Sequence, residues 1–213
     1  MAHYRFVRSA SVAGVAALLV ALPPFAPGAR AEEPRWSFAA SANYYLVPED
    51  SDYLQPTVTA DRGALHLEAR YNYEGQDTTS LWAGYNFETG EKVAFAFTPM
   101  LGGVFGDTDG IAPGFRTSLE WRWLTLYSEA EYLFDSGSQD DSFFYAWSEA
   151  AVSPVEWFRF GLVGQRTRAY QSSRDIQRGL LVGFTYKDVD IAAYLFNLDE
   201  SKPTFIFGVR LGF

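Results

Sequence analysis

The 213-residue chain has no cysteine, which excludes disulfides, thiolate chemistry and acylation of a lipoprotein cysteine. Histidine is nearly missing too. Past residue 31 only His66 remains, so a serine–histidine dyad would have to use that imidazole. Basic residues are scarce, 17 Lys and Arg against 26 Asp and Glu. This argues against a nucleic-acid partner, whose binding rests on neutralising phosphates. After residue 31 no run is apolar enough for a membrane helix, which needs ~20 residues. Internal repeats longer than a hairpin, linkers, metal-ligand clusters, phosphate loops and nucleophile elbows are lacking as well. No cofactor and no metal are expected.

The amino end reads as a secretory signal. Arg5 and Arg8 form a positive region, Val12 to Leu22 an apolar one, and Gly28-Ala29-Arg30-Ala31 a small-x-small cleavage site. Residues 1–31 are expected to be removed, leaving 32–213 as a single domain. That mature chain carries 14 basic residues and a formal charge near −12, which suits a secreted protein that must stay soluble while unfolded.

Beyond the leader a period of two dominates, the signature of strands with two unlike faces. Twelve segments are predicted: 35–47, 53–60, 64–73, 79–88, 92–102, 111–122, 124–134, 142–152, 156–168, 176–186, 189–197 and 204–213. Tight turns at Asp61 to Gly63, Glu88 to Glu91, Trp123-Leu124, Ser153-Pro154 and Lys187-Asp188 alternate with longer polar loops, among them Gly103 to Gly110 and Tyr170 to Asp175. Ten residues at ~3.3 Å, tilted ~40°, rise ~25 Å, the height of a bilayer's apolar band. Pro56, Pro99 and Pro113 fall inside strands, where each removes a ladder donor, so bulges or shifted boundaries are expected there.

The last strand is the most specific element. Phe205, Phe207, Val209, Leu211 and Phe213 take every second position, and Thr204, Gly208, Arg210 and Gly212 fall between them. A terminal aromatic with alternate apolar partners resembles the closing strand of bacterial outer-membrane β-barrels. That resemblance implies an all-β, antiparallel up-and-down transmembrane barrel in a Gram-negative outer membrane. It also implies that these five residues are an assembly signal read by the barrel assembly machinery, and that both termini are periplasmic. Lipid and lipopolysaccharide are the other partners it implies.

Sorted by face, the set containing Phe38, Leu67, Leu81, Phe97, Phe115, Leu162, Val182, Ile191 and Phe207 is almost uncharged. Aromatics collect near its two ends, with Tyr44, Tyr71, Tyr73, Tyr132, Phe134 and Phe205 towards the long loops, as bilayer interfaces favour. The opposite face carries the charges and is the expected lumen lining: His66, Glu68, Arg70, Arg116, Glu120, Arg122, Glu129, Glu131, Glu149, Arg159, Asp190 and Arg210. Turn registers set Arg116 opposite Glu131, Glu149 opposite Arg159, Thr59 opposite His66 and Gln55 opposite Arg70. A soluble periplasmic sandwich is the competing fold, with the two faces exchanged.

Two uses of the inward charges compete. They line a narrow porin-like channel for small hydrophilic solutes, or they fill the lumen of a non-conducting structural or surface-interaction barrel together with inward aromatics such as Tyr45, Trp82, Tyr145 and Trp147. A lipid hydrolase is the weaker third reading, because His66 faces inward and no serine motif adjoins it. Acidic outer loops invite divalent cations or are simply solvated. Arg166 and Arg168 meet lipopolysaccharide phosphates or snorkel.

Overall fold

The computed structural model describes residues 34–48, 50–167 and 176–213. The predicted signal segment, and the loop expected at Tyr170 to Asp175 together with Arg168, lie outside these residues.

Alternating apolar and polar residues build one antiparallel sheet. Its strands are β1 (Trp36–Leu46), β2 (Tyr53–Arg62), β3 (Leu65–Tyr71), β4 (Thr78–Tyr85), β5 (Phe87–Thr89), β6 (Ala94–Gly106) and β7 (Gly110–Trp121). They continue with β8 (Leu124–Asp135), β9 (Phe143–Val155), β10 (Phe158–Arg166), β11 (Gln177–Tyr186), β12 (Val189–Phe196) and β13 (Thr204–Gly212). β4 and β5 both lie against β6 and form one stave interrupted at Asn86, so the wall has twelve staves. It is closed. The last strand pairs with the first, and Phe38 and Phe213 exchange both backbone hydrogen bonds at 2.9 Å. Closure leaves no unpaired sheet edge, a requirement in hydrocarbon.

The apolar face points outward. Phe207, Leu67 and Val182 are exposed on the barrel's surface, whereas Glu68 is buried within it. Exposed apolar side chains run around the whole wall, a surface suited to lipid and not to water. The fold is therefore a transmembrane barrel, and the sandwich alternative is excluded. Trp36, Tyr85, Phe87, Trp121, Trp123, Trp157, Phe184 and Tyr186 ring the short-turn end, and Tyr44, Tyr71, Tyr132, Phe134 and Phe205 ring the other. Phe213 stacks on Phe38 with ring centroids 6.0 Å apart, and all five residues of the expected assembly signal face out. Tyr73 departs from its predicted place. Asn72 adopts a left-handed φ of 56°, which breaks the alternation after β3 and turns Tyr73 and Glu74 into the interior.

Turn positions differ from the expected ones, with one consequence for register. The β2–β3 turn is Gly63-Ala64 and the β7–β8 turn is Arg122-Trp123, each displaced by one residue. Pairing slides by two, so Arg116 faces Glu129 in place of Glu131, Thr59 faces Glu68 and Thr57 faces Arg70. A slip of two keeps every side chain on its face; a slip of one would have inverted them. β9 continues through Pro154 to Val155 and turns at Glu156-Trp157, with a bulge between Phe158 and Phe160. Glu149 consequently faces Val163, not Arg159.

Expected irregularity appears at two of the three prolines. Pro99 sits where β6 exchanges β4 for β5, and the β7–β8 register lapses between Ile111 and Gly114, around Pro113. Pro56 pairs regularly with Ala42. The Gly103–Gly110 loop shrinks to three residues, because β6 runs to Gly106 and Gly103 pairs with Ile111.

At the β9–β10 bulge the backbones approach so closely that a Cβ on Gly161 would lie 2.1 Å from the Ala150 carbonyl oxygen. Gly161→Ala is expected to lower unfolding free energy by ~1–3 kcal/mol through forced backbone movement. Urea titration in detergent micelles checks this; a variant as stable as the parent contradicts it.

Candidate lumen site

The interior is organised around one buried guanidinium. Arg70, on β3, donates to Glu68, to Glu131 Oε2 at 2.7 Å and to Glu74 Oε1 at 3.5 Å. Its Cζ lies 4.1 Å from the Tyr73 ring centroid and 4.4 Å from that of Trp82, so the cation is clasped between two aromatic faces. Glu68, its side chain wholly buried, also forms an ion pair with Arg116 on β7 and contacts His66 Nε2 at 3.0 Å. The other imidazole nitrogen contacts Asp61 Oδ1 at 2.7 Å. Arg116 Nε reaches Glu129 at 3.4 Å, and Tyr127 donates to Glu129 at 2.6 Å. This chain of charges joins β2 and β3 to β7 and β8 across the lumen. Low-dielectric surroundings make such a network tolerable only when each charge is matched.

A second, separate pair stands nearer the short turns. Arg159 donates to both oxygens of Asp190 on β12, one contact at 2.7 Å, and Thr185 donates to Asp190 at 2.7 Å. The guanidinium reaches past β11 because Gly183 leaves space; a Cβ there would come within 2.6 Å of Arg159 Cζ. Glu149 is bound differently. Trp147 Nε1, at 2.8 Å, and the Tyr194 hydroxyl, at 3.0 Å, donate to the same Oε1.

Above these polar groups the long-loop half of the lumen is packed with apolar side chains. Tyr45, Phe196 and Ile206 are wholly buried, and Tyr53, Tyr145, Leu181 and Val47 join them in one cluster. Trp82, Met100, Val104, Ala112 and Leu133 form a second. Tyr45 and Tyr53 stack with centroids 4.5 Å apart. Below lie two cavities bounded by described residues. One of about 250 Å³ is lined by Asn43, Gln55, Tyr127, Trp147, Glu149, Arg159 and Asp190 and reaches the exposed Arg210. The other, about 350 Å³, lies at the short-turn end among Arg35, Asp61, His66, Asn86 and Arg116. Arg116 borders both.

The residues expected in the lumen are thus distributed unevenly. His66, Glu68, Arg70, Arg116, Glu129 and Glu131 meet in the central network; Arg159 and Asp190 form their own pair; Glu149 and Arg210 line the first cavity. Glu120 is exposed near the short turns, opposite Thr125. Arg122 is a correction. It occupies the β7–β8 turn at a φ of 56°, with its guanidinium 5.3 Å from the Trp121 ring, and takes no part in the lumen. Asp61 and Glu74 were missed, since the first reads as a turn residue and the second as loop. Asp61 shares parity with Gln55 and Thr59, which was the available signal; the turn at Asn72 left none for Glu74.

Among the described residues no cluster of side chains is suited to hold a metal ion, and no helix is long and apolar enough to cross a membrane. His66 is enclosed between carboxylates in the lumen and does not reach the lipid surface.

Two solved structures show the same architecture. A KdgM porin superposes with a TM-score of 0.60 over 82% of this chain and 99% of its own, at 12% identity. A KdgM porin in complex with disordered oligogalacturonate gives 0.58, over 83% and 99%, at 13% identity. The chain has the KdgM porin fold. No family model and no curated protein matches its sequence. Near-complete coverage of the KdgM porins means that no stave of their barrel is without a counterpart here, whereas 12–13% identity leaves the lining of the lumen this chain's own.

Proposed function

We propose that this protein is an outer-membrane barrel for passive diffusion of small hydrophilic solutes. Ion-lined cavities open at the short-turn end, and the aromatic layer above them limits passage. The observation that carries this reading is a closed KdgM-porin-type wall with an apolar exterior around a polar, partly hollow interior. The first described residue, Pro34, and Phe213 stand at the short-turn end, which faces the periplasm; the terminal-Phe strand addresses the chain to the assembly machinery, and its girdles meet lipid and lipopolysaccharide. The protein acts as a channel and not as an enzyme, since its lone described histidine is engaged inside the lumen.

Charge points to the class of solute. Asp61, Glu68, Glu74, Glu88, Glu129, Glu131, Glu149 and Asp190 face Arg35, Arg70, Arg116, Arg159 and Arg210, eight carboxylates against five guanidiniums. Such an interior disfavours a polyanion of the kind named with the second KdgM porin and favours cations. In a potassium chloride gradient across a planar bilayer, the reversal potential is expected to take the sign of potassium preference. A reversal potential of the opposite sign contradicts the charge argument.

The wholly buried Tyr45, Phe196 and Ile206 favour a second reading, a non-conducting barrel. Single-channel recording separates the two. Discrete conductance steps support diffusion; their absence at any salt concentration supports the filled barrel.

A further inference from the structure

Among the mid-lumen carboxylates Glu68, Glu129, Glu131, Glu149 and Asp190, all but Glu149 hold an ion pair. Trp147 and Tyr194 both donate to its Oε1, which fixes the carboxylate while leaving Oε2 without a hydrogen bond. The two rings meet edge-to-face at 82° with centroids 5.0 Å apart, and each aims an edge donor at the carboxylate in the corner between them. That corner borders the 250 Å³ cavity, and Tyr127 lines the same space. Of the cations on this cavity, Arg159 is paired with Asp190 and Arg116 with Glu68 and Glu129, while Arg210 is exposed opposite Asp190 on the adjoining strand. An anchored carboxylate with one free oxygen, in a cavity lined by Trp147, Tyr194 and Tyr127, is suited to an ammonium group through charge together with cation–π attraction. A neutral solute would gain only the rings, and an anion would be repelled.

We infer that Glu149, Trp147 and Tyr194 form a subsite for a small solute bearing an ammonium group. It rests on the proposed diffusion function only for how the solute arrives. The cavity lies below the size of drug-binding pockets, ~300–1,000 Å³, so it takes a single small amine and not a chain of several units.

Titration calorimetry on the refolded barrel in detergent tests this, with choline and its neutral isostere, in which a quaternary carbon replaces the nitrogen. Choline is expected to bind at least tenfold more tightly than the isostere. Glu149→Gln should remove that preference while the isostere's affinity stays unchanged. Retention of the heat-modifiable mobility of the folded barrel shows that this near-isosteric variant still folds. Equal binding of the two probes, no binding of choline, or a choline affinity indifferent to Glu149→Gln overturns the subsite. Conductance without choline binding removes the subsite and leaves the channel; choline binding without conductance does the reverse.

Discussion

Arg70→Met is expected to cost the folded barrel ~3–5 kcal/mol, the usual consequence of removing one partner from a buried ionic cluster. The substitution keeps much of the aliphatic stem between the Tyr73 and Trp82 rings but withdraws the charge from Glu68, Glu74 and Glu131 at once. Glu68 retains Arg116, whereas Glu74 and Glu131 are left buried with no cation. Arg159→Met is the internal comparison. Its pair with Asp190 is about a quarter exposed on each side, so water takes over part of the lost interaction and the cost should be distinctly smaller. Equilibrium urea unfolding of both variants in the same micelles gives the two values. Equal losses would show that the Arg70 network is no more than a hydrated ladder.

Opening the aromatic layer is the second large effect. Phe196→Ala removes a wholly buried ring from the long-loop half of the lumen, and Tyr45→Ala another beside it. Each is expected to cost ~3–5 kcal/mol of stability, because the rigid wall cannot collapse into the space. In planar bilayers the double variant should conduct severalfold more than the parent, as the proposed function, with passage limited by the aromatic layer, requires. Substituting an exposed girdle residue such as Phe134 should leave conductance unchanged. An unaltered conductance in the double variant would place the constriction elsewhere. Silence of both parent and double variant would favour the filled, non-conducting barrel.

The architecture was legible because a barrel wall encodes itself locally. Period two assigns each residue to a face, and terminal Phe213 marks the strand that closes on β1. Face assignment survived wrong turn positions at Trp123-Leu124 and at Asp61 to Gly63, since moving a hairpin turn by one residue shifts the register by two. Partners across the lumen were not legible. Glu68 meeting Arg116, or Arg159 reaching Asp190, depends on which staves face one another and how far a guanidinium extends, and neither quantity is periodic. Left-handed residues did the remaining damage. Asn72 carries Tyr73 and Glu74 inward, and Arg122 becomes a turn residue instead of a lumen one. Filling of the long-loop half also escaped the pattern. Val47, Ile206 and Phe196 are apolar residues in inward positions, visible singly and meaningful only once the staves are assembled.

The absence of cysteine makes the decisive measurement clean. Single cysteines at Leu67, Val182 and Phe207, and in turn at Ser41, Thr57 and Ala192, would each carry a nitroxide label in liposomes. Collision with apolar oxygen and with a water-soluble nickel chelate reports the solvent at each position. The first three should favour oxygen strongly and exclude the chelate. The second three should reverse that order or resist both. Free access of the chelate to Leu67, Val182 and Phe207 would mean that water bathes the apolar face, and the barrel as described would not stand in a membrane.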